Sequence, residues 1–155
     1  MNIIKVLGIA AGVAAAGLAG LAVTNPGNTA ETSTDNKDKD LKTRHYQVDF
    51  NTLVKEIKKM IPTLTTYGQN WKLIGGGDGS GTVGGSGSYS AKIIVEVPVI
   101  FFNDDLEINV NKEEDKDEIT VNVRSASRVG KSDLGANKRH IVQILKTLDE
   151  KFAGK

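Results

Sequence analysis

The sequence predicts an α+β domain: an antiparallel β-meander of about four strands with two amphipathic helices packed on one face, preceded by an N-terminal hydrophobic helix. Two observations carry this. Apolar residues alternate along three successive stretches: Ile93, Val95, Val97, Val99 and Phe101; Leu106, Ile108 and Val110; and Ile119, Val121 and Val123. Two other segments carry apolar residues at helical spacing, Phe50 to Leu64 and Leu134 to Phe152. A sheet with one apolar face and two such helices satisfy each other by packing together in two layers.

The chain has 155 residues, enough for one domain of ordinary size. Residues 1–24 read as a signal peptide or membrane anchor, 25–47 as a disordered tether, and 48–155 as a single domain. Lys5 precedes an unbroken apolar run, Val6–Val23, which ends at Thr24-Asn25-Pro26-Gly27. As a signal peptide the run offers small residues for cleavage at Gly20-Leu21-Ala22 or Ala14-Ala15-Ala16. As an anchor, Ile3–Val23 supplies the roughly 20 apolar residues that cross ~30 Å of hydrocarbon. With Lys5 before the run and no basic residue after it until Lys37, the N-terminus stays in the cytoplasm and the domain lies outside, membrane-anchored or secreted. An uncleaved segment makes the membrane a partner. Asn25–Lys42 is almost wholly polar and has little to bury.

Asp49 is placed to cap the first helix, and Pro62 to end or kink it. Trp71–Ile74 reads as a short strand, followed by a Gly/Ser-rich loop over 75–90. Gly79-Ser80-Gly81-Thr82-Val83-Gly84 matches a dinucleotide fingerprint as text, but a strand follows it where the fingerprint needs a helix. Asn103-Asp104 makes a two-residue turn. It sets Phe101 opposite Leu106, Val99 opposite Ile108 and Val97 opposite Val110. A second turn around Glu113–Lys116 sets Val110 opposite Ile119 and Asp105 opposite Arg124. A two-residue shift would bring Arg124 to Glu107 or Asn103 instead. Ser132 or Asp133 caps the second helix, from Leu134 to about Phe152.

Several function classes are excluded. Without residues 1–24, 19 basic side chains stand against 19 acidic ones, so there is no electrostatic footprint for nucleic acid. The absence of cysteine removes disulfides, thiolate metal sites and a cysteine nucleophile. His45 falls in the tether's end and His140 reads as an exposed helix residue. No His/Asp/Glu spacing implies a metal, and no motif implies a cofactor.

The run Arg124-Ser125-Ala126-Ser127-Arg128-Val129-Gly130-Lys131-Ser132-Asp133-Leu134-Gly135-Ala136-Asn137-Lys138-Arg139 resembles the signature of the family catalogued as domain of unknown function 1499. There, Arg-Ser-x-Ser-Arg ends a strand and Gly-x-Ser-Asp-Leu-Gly-x-Asn leads into a basic helix start. Phe102-Asn103-Asp104-Asp105-Leu106-Glu107 is similar to the family's Phe-x-Asp-Asp-x-Glu segment. The resemblance covers roughly Ala91 to Leu148. It implies an envelope or organelle setting and brings no established activity.

Arg124, Ser125, Ser127, Arg128, Lys131 and Ser132 sit just before a helix N-terminus. Guanidinium groups, hydroxyls and free backbone N–H groups there are what an anion site needs. Asp104, Asp105, Asp133 and Asn137 are the structural polar groups beside them. The acids can equally neutralise the arginines and cap the helix, which makes the motif a folding device. The sequence reading is a non-enzymatic envelope-associated domain that binds a protein partner or a small anionic ligand. The alternative is a small hydrolase or isomerase using Asp104 or Asp105 with Arg124 and Arg128, against which adjacent strand residues face opposite ways.

Overall fold

The structure, a computed structural model, describes residues 27–76, 87–130 and 132–152. The N-terminal segment 1–24, most of the Gly/Ser-rich loop and Lys131 lie outside the described residues. Among the described residues no helix is long and apolar enough to cross a membrane.

Among the described residues eight strands and two α-helices follow one another: β1 (Thr29–Glu31), β2 (Arg44–Tyr46), α1 (Phe50–Met60), β3 (Thr65–Thr66), β4 (Gln69–Asn70), β5 (Lys72–Gly76), β6 (Tyr89–Pro98), β7 (Asn103–Lys112), β8 (Ile119–Ser127) and α2 (Ala136–Phe152). The fold class is α+β, as expected. β5 to β8 form the antiparallel meander, extended beyond β8 by β1 and β2, which share its outer edge. β3 and β4 make a separate small hairpin. One face of the sheet, through Ile93, Val95, Leu106, Ile108, Val121 and Val123, forms a single core with Leu53 and Ile57 of α1 and Ile141, Ile144 and Leu148 of α2.

Asp49 caps α1 as expected, its carboxylate accepting from Thr52 N at 2.8 Å. Pro62 falls in a short 3-10 turn, Ile61–Thr63, that ends the helix. Trp71, just before β5, is buried, and its indole donates to Thr66 Oγ1 at 2.7 Å.

Three expectations are corrected. Residues 29–46 are not a loose tether. β1 and β2 pair with β8, and Thr32 and Thr43 donate to Asn122 Oδ1 at 3.1 and 2.7 Å. Polar composition hid this because an edge strand is held by backbone and hydroxyl hydrogen bonds, which need few apolar side chains. Asn103-Asp104 is not the hairpin turn. Both residues lie in β7, and Val99–Phe102 forms the loop, closed by Val99 N donating to Phe102 O at 2.8 Å. Val95 therefore faces Leu106 and Ile93 faces Ile108, a register that pairs all ten residues of β6. The expected turn would have left Tyr89–Ile94 without partners in β7. Because the shift is even, every side chain that stays in the strands keeps its face, whereas Phe101, expected on the apolar face, lies in the loop and is exposed. β8 is shifted by two, so Glu107 rather than Asp105 faces Arg124.

Candidate functional site

The Arg-Ser run is split between faces by strand alternation. Ser125 points inward and is fully buried, while Arg124 stands exposed on the outer face, 3.9 Å from Glu31. Arg128 also lies outside. Its Nε donates to Asp105 at 3.0 and 3.1 Å, and its Nη2 donates to Asp105 at 2.6 Å and to Glu96 at 3.0 Å. The guanidinium holds the Asp105 carboxyl below its usual range. The two arginines thus converge on acids and not on a shared opening.

The inward residues are tied to α2 by Asn137. Ser125 Oγ donates to Asn137 Oδ1 at 2.6 Å, and Asn137 Nδ2 reaches Asn28 O, Ser127 Oγ and Asp133 Oδ2 at 2.8, 2.9 and 2.6 Å. The helix begins at Ala136 and not at Leu134, because Leu134 (φ 53°) and Gly135 (φ 77°) are left-handed and cannot continue into an α-helix. Leu134 is consequently only half-buried and does not join the helix stripe. The Asp133 carboxylate accepts from Gly135 N at 2.8 Å and from Asn137 N at 3.1 Å. The helix N-terminus expected to receive an anion is therefore occupied by the protein's own carboxylate. Ser132 lies in the same loop, its hydroxyl accepting from Leu134 N at 3.3 Å. Lys131, the remaining member of the expected anion set, lies outside the described residues.

A different constellation stands beneath this loop. Asp104 lies on the inner face of β7, fully buried; the Ser127 hydroxyl stands beside it, yet neither carboxylate oxygen completes a hydrogen bond of good geometry. His140 of α2 presents Nδ1 to Asp104 Oδ2 at 3.5 Å, likewise without a hydrogen bond, and Trp71 packs edge-on against the imidazole at 5.8 Å. Burial pushes Asp104 up to about 6, aided by the charges of Asp133 and Asp105 and opposed by the Ser127 hydroxyl and Arg128. Burial also pushes His140 down to about 4. At neutral pH the carboxylate is ionised and the imidazole neutral.

His140 was expected to be exposed; it is 3% exposed. The signal for this was present, since Asn137 and His140 stand four residues before Ile141 and Ile144 and continue the buried stripe. Asp104 and Asp105 face opposite sides of the sheet, as strand alternation predicts.

Above Asp104 a cleft of about 160 Å³ opens between the Val99–Phe102 loop, the β3–β4 turn and the start of α2. Tyr67, Ile100, Phe101, Phe102 and Leu134 form its walls, with Asp104 and Ser127 among its polar groups. A larger groove of about 650 Å³ runs between β1 and α2 past the Lys138–Asp38 ion pair; its acids, Glu31, Asp38 and Asp133, all carry hydrogen bonds or ion pairs or lie exposed. Among the described residues no cluster of three or more His, Asp or Glu is placed to hold a metal ion.

The profile of the family described as Protein of unknown function (DUF1499) matches residues 21–148. The chain belongs to this family. The match spans the meander, the Arg-Ser run and nearly all of α2, so the inner polar layer and the cleft lie within the DUF1499 region. No curated protein and no solved structure matches the chain.

Proposed function

We propose that this DUF1499 domain is a non-enzymatic component of the cell envelope that holds an amphipathic ligand or partner segment in the cleft over Asp104. The observation that carries the reading is a buried carboxylate, with no hydrogen bond of good geometry, just beneath an apolar-walled cleft. A buried ionised group without a well-formed hydrogen bond is costly, so a cation or strong donor reaching Asp104 is favoured, while Phe102 and Leu134 take up its apolar body. This moves the polar ligand from the anion expected at the Arg-Ser run to a donor or cation. The envelope setting is supported by the N-terminal apolar run and by Lys5 before it.

Thermal melting of the full chain tests the reading, with phenethylamine, hexanoate and hexyl phosphate as probes at neutral pH. The amine is expected to raise the melting temperature of the wild type and to leave Asp104→Asn and Phe102→Ser unmoved. Equal stabilisation by the two anions, or an amine effect that survives both substitutions, sinks it.

The raised Asp104 value favours a second reading, a hydrolase or isomerase in which this carboxyl moves a proton near neutrality. Asp105 and Arg128 take no part, because they neutralise each other on the outer face. That reading requires turnover of a substrate that titrates near pH 6 and disappears in Asp104→Asn.

A further inference from the structure

Gly27, where the apolar N-terminal run meets the described domain, is fixed at one pole. Its carbonyl accepts from Asp133 N at 3.0 Å, and the neighbouring Asn28 accepts from Ser127 N at 2.8 Å and donates to Gly130 O at 3.0 Å. Ser127 stands opposite Asp104, and Asn103 opposite Pro98, so the Val99–Phe102 loop projects from that same pole. Seven large apolar side chains are exposed among the described residues; four of them, Tyr67, Ile100, Phe101 and Phe102, gather here around the cleft, and a fifth, Val129, follows the end of β8. Phe101 is 91% exposed.

Only Thr24, Asn25 and Pro26 separate Val23 from Gly27. Fully extended, such a link reaches roughly 10–14 Å at ~3.3–3.6 Å per residue. That is about twice the roughly 5–7 Å headgroup layer on each side of the hydrocarbon core, so the domain stays close to the surface. The pairing of residues 29–46 with the sheet leaves no longer tether to lift the domain away.

We infer that this pole is seated on the lipid bilayer, with Ile100, Phe101 and Val129 entering the headgroup–acyl boundary beside the point where the N-terminal segment leaves the membrane. The inference rests on the membrane-anchored reading of Ile3–Val23. Aromatic and aliphatic side chains at a loop tip are suited to that boundary. Arg128, just past the end of β8, is taken up by Asp105 and Glu96.

The chain has no cysteine, so a single introduced thiol can carry a fluorescent label. The full chain, labelled at Phe101→Cys, Asp115→Cys or Val13→Cys, is reconstituted into phosphatidylcholine vesicles containing nitroxide-bearing lipid. Asp115 lies in the loop between β7 and β8 at the opposite pole, and Val13 in the middle of the apolar run. Lipid quenching at positions 13 and 101, with none at 115, is expected. Quenching at 13 alone overturns the docking and leaves the anchor standing. Quenching at neither 13 nor 101 removes the anchor, and the docking with it. A position-101 label shielded from aqueous iodide but not quenched by lipid shows the tip covered by protein, which also overturns the proposal.

Discussion

Asp104 Oδ2 and His140 Nδ1 face each other at 3.5 Å inside the domain, and neither completes a hydrogen bond of good geometry. β7 and α2 each bring one ionisable group to the same buried layer, and burial pushes both toward neutrality. Between pH 4 and 6, as the two values imply, neither carries a charge.

Asp104 therefore opposes folding once it ionises. A carboxyl held above its ordinary 3.8 stabilises the fold fully below that value and loses the contribution as pH rises through about 6. His140 runs the other way: held below 6.5, its contribution is complete above that pH and is lost as pH falls through about 4. Comparing wild type with Asp104→Asn at each pH isolates the carboxyl. In urea titrations Asp104→Asn is expected to be more stable than wild type by about 1–3 kcal/mol at pH 7.5, with the advantage gone by pH 4. A variant less stable than wild type at pH 7.5 would show that the carboxylate has a stabilising partner.

Asn137 joins three parts of the chain: Ser125 of β8, Asn28 before β1, and Asp133 at the helix cap. Truncation leaves the Ser125 hydroxyl and the Asn28 carbonyl without that partner. Asn137→Ala is expected to lose about 2–4 kcal/mol, beyond the range of an ordinary surface change. Because Asn137 holds Asn28, amide hydrogen exchange should speed up in residues 28–31 more than in β6 and β7. Uniform acceleration throughout the sheet would mean that the residue supports the core and not the edge.

The parts of the fold that rest on apolar periodicity were legible in the sequence. The alternation of Ile93, Val95 and Val97 and the stripe Ile141, Ile144 and Leu148 fixed the faces of strand and helix correctly. Register was less legible, because any even shift between β6 and β7 keeps apolar residues facing apolar residues. β1 and β2 were missed because Thr32, Thr43 and Asn122 hold them by hydrogen bonds between side chains far apart in sequence. The candidate site was half legible. The Arg-Ser run drew attention to the right end of the sheet, yet its arginines face outward. Asp104 was seen as a polar neighbour, while its isolation depends on His140 and Trp71, which only the fold brings beside it.

Arg128 separates two acids that are cross-strand partners, Glu96 and Asp105. In Arg128→Ala these carboxylates face each other with only the exposed Lys72 ammonium, 3.7 Å from Glu96, left beside them, and like charges directly opposite destabilise a sheet. The variant should melt below wild type, with the gap narrowing in high salt. Adding Asp105→Asn to Arg128→Ala should recover part of the loss. No recovery in thermal melts would assign the role of Arg128 to packing of its alkyl chain.

Tyr46 and Asp149 tie the segment before α1 to the far end of α2. The phenol donates to Asp149 Oδ1 at 2.7 Å, Arg44 Nε donates to Oδ2 at 3.0 Å, and the Tyr46 ring packs against Phe152 at 6.0 Å. Burial and the neighbouring carboxylate push the phenol far above its usual range, so it remains a donor at any pH the fold survives. Tyr46→Phe removes one hydrogen bond and keeps the ring, for an expected loss of about 1–2 kcal/mol. Asp149→Ala removes the acceptor for both Tyr46 and Arg44 and leaves a buried hydroxyl unpaired, so its loss should be larger, about 2–4 kcal/mol. Denaturant titrations of the two variants decide whether β2 belongs to the cooperative unit. If neither variant shifts the midpoint, residues 29–46 act as a tether after all, and the proposed short link between the apolar pole and the membrane loses its basis.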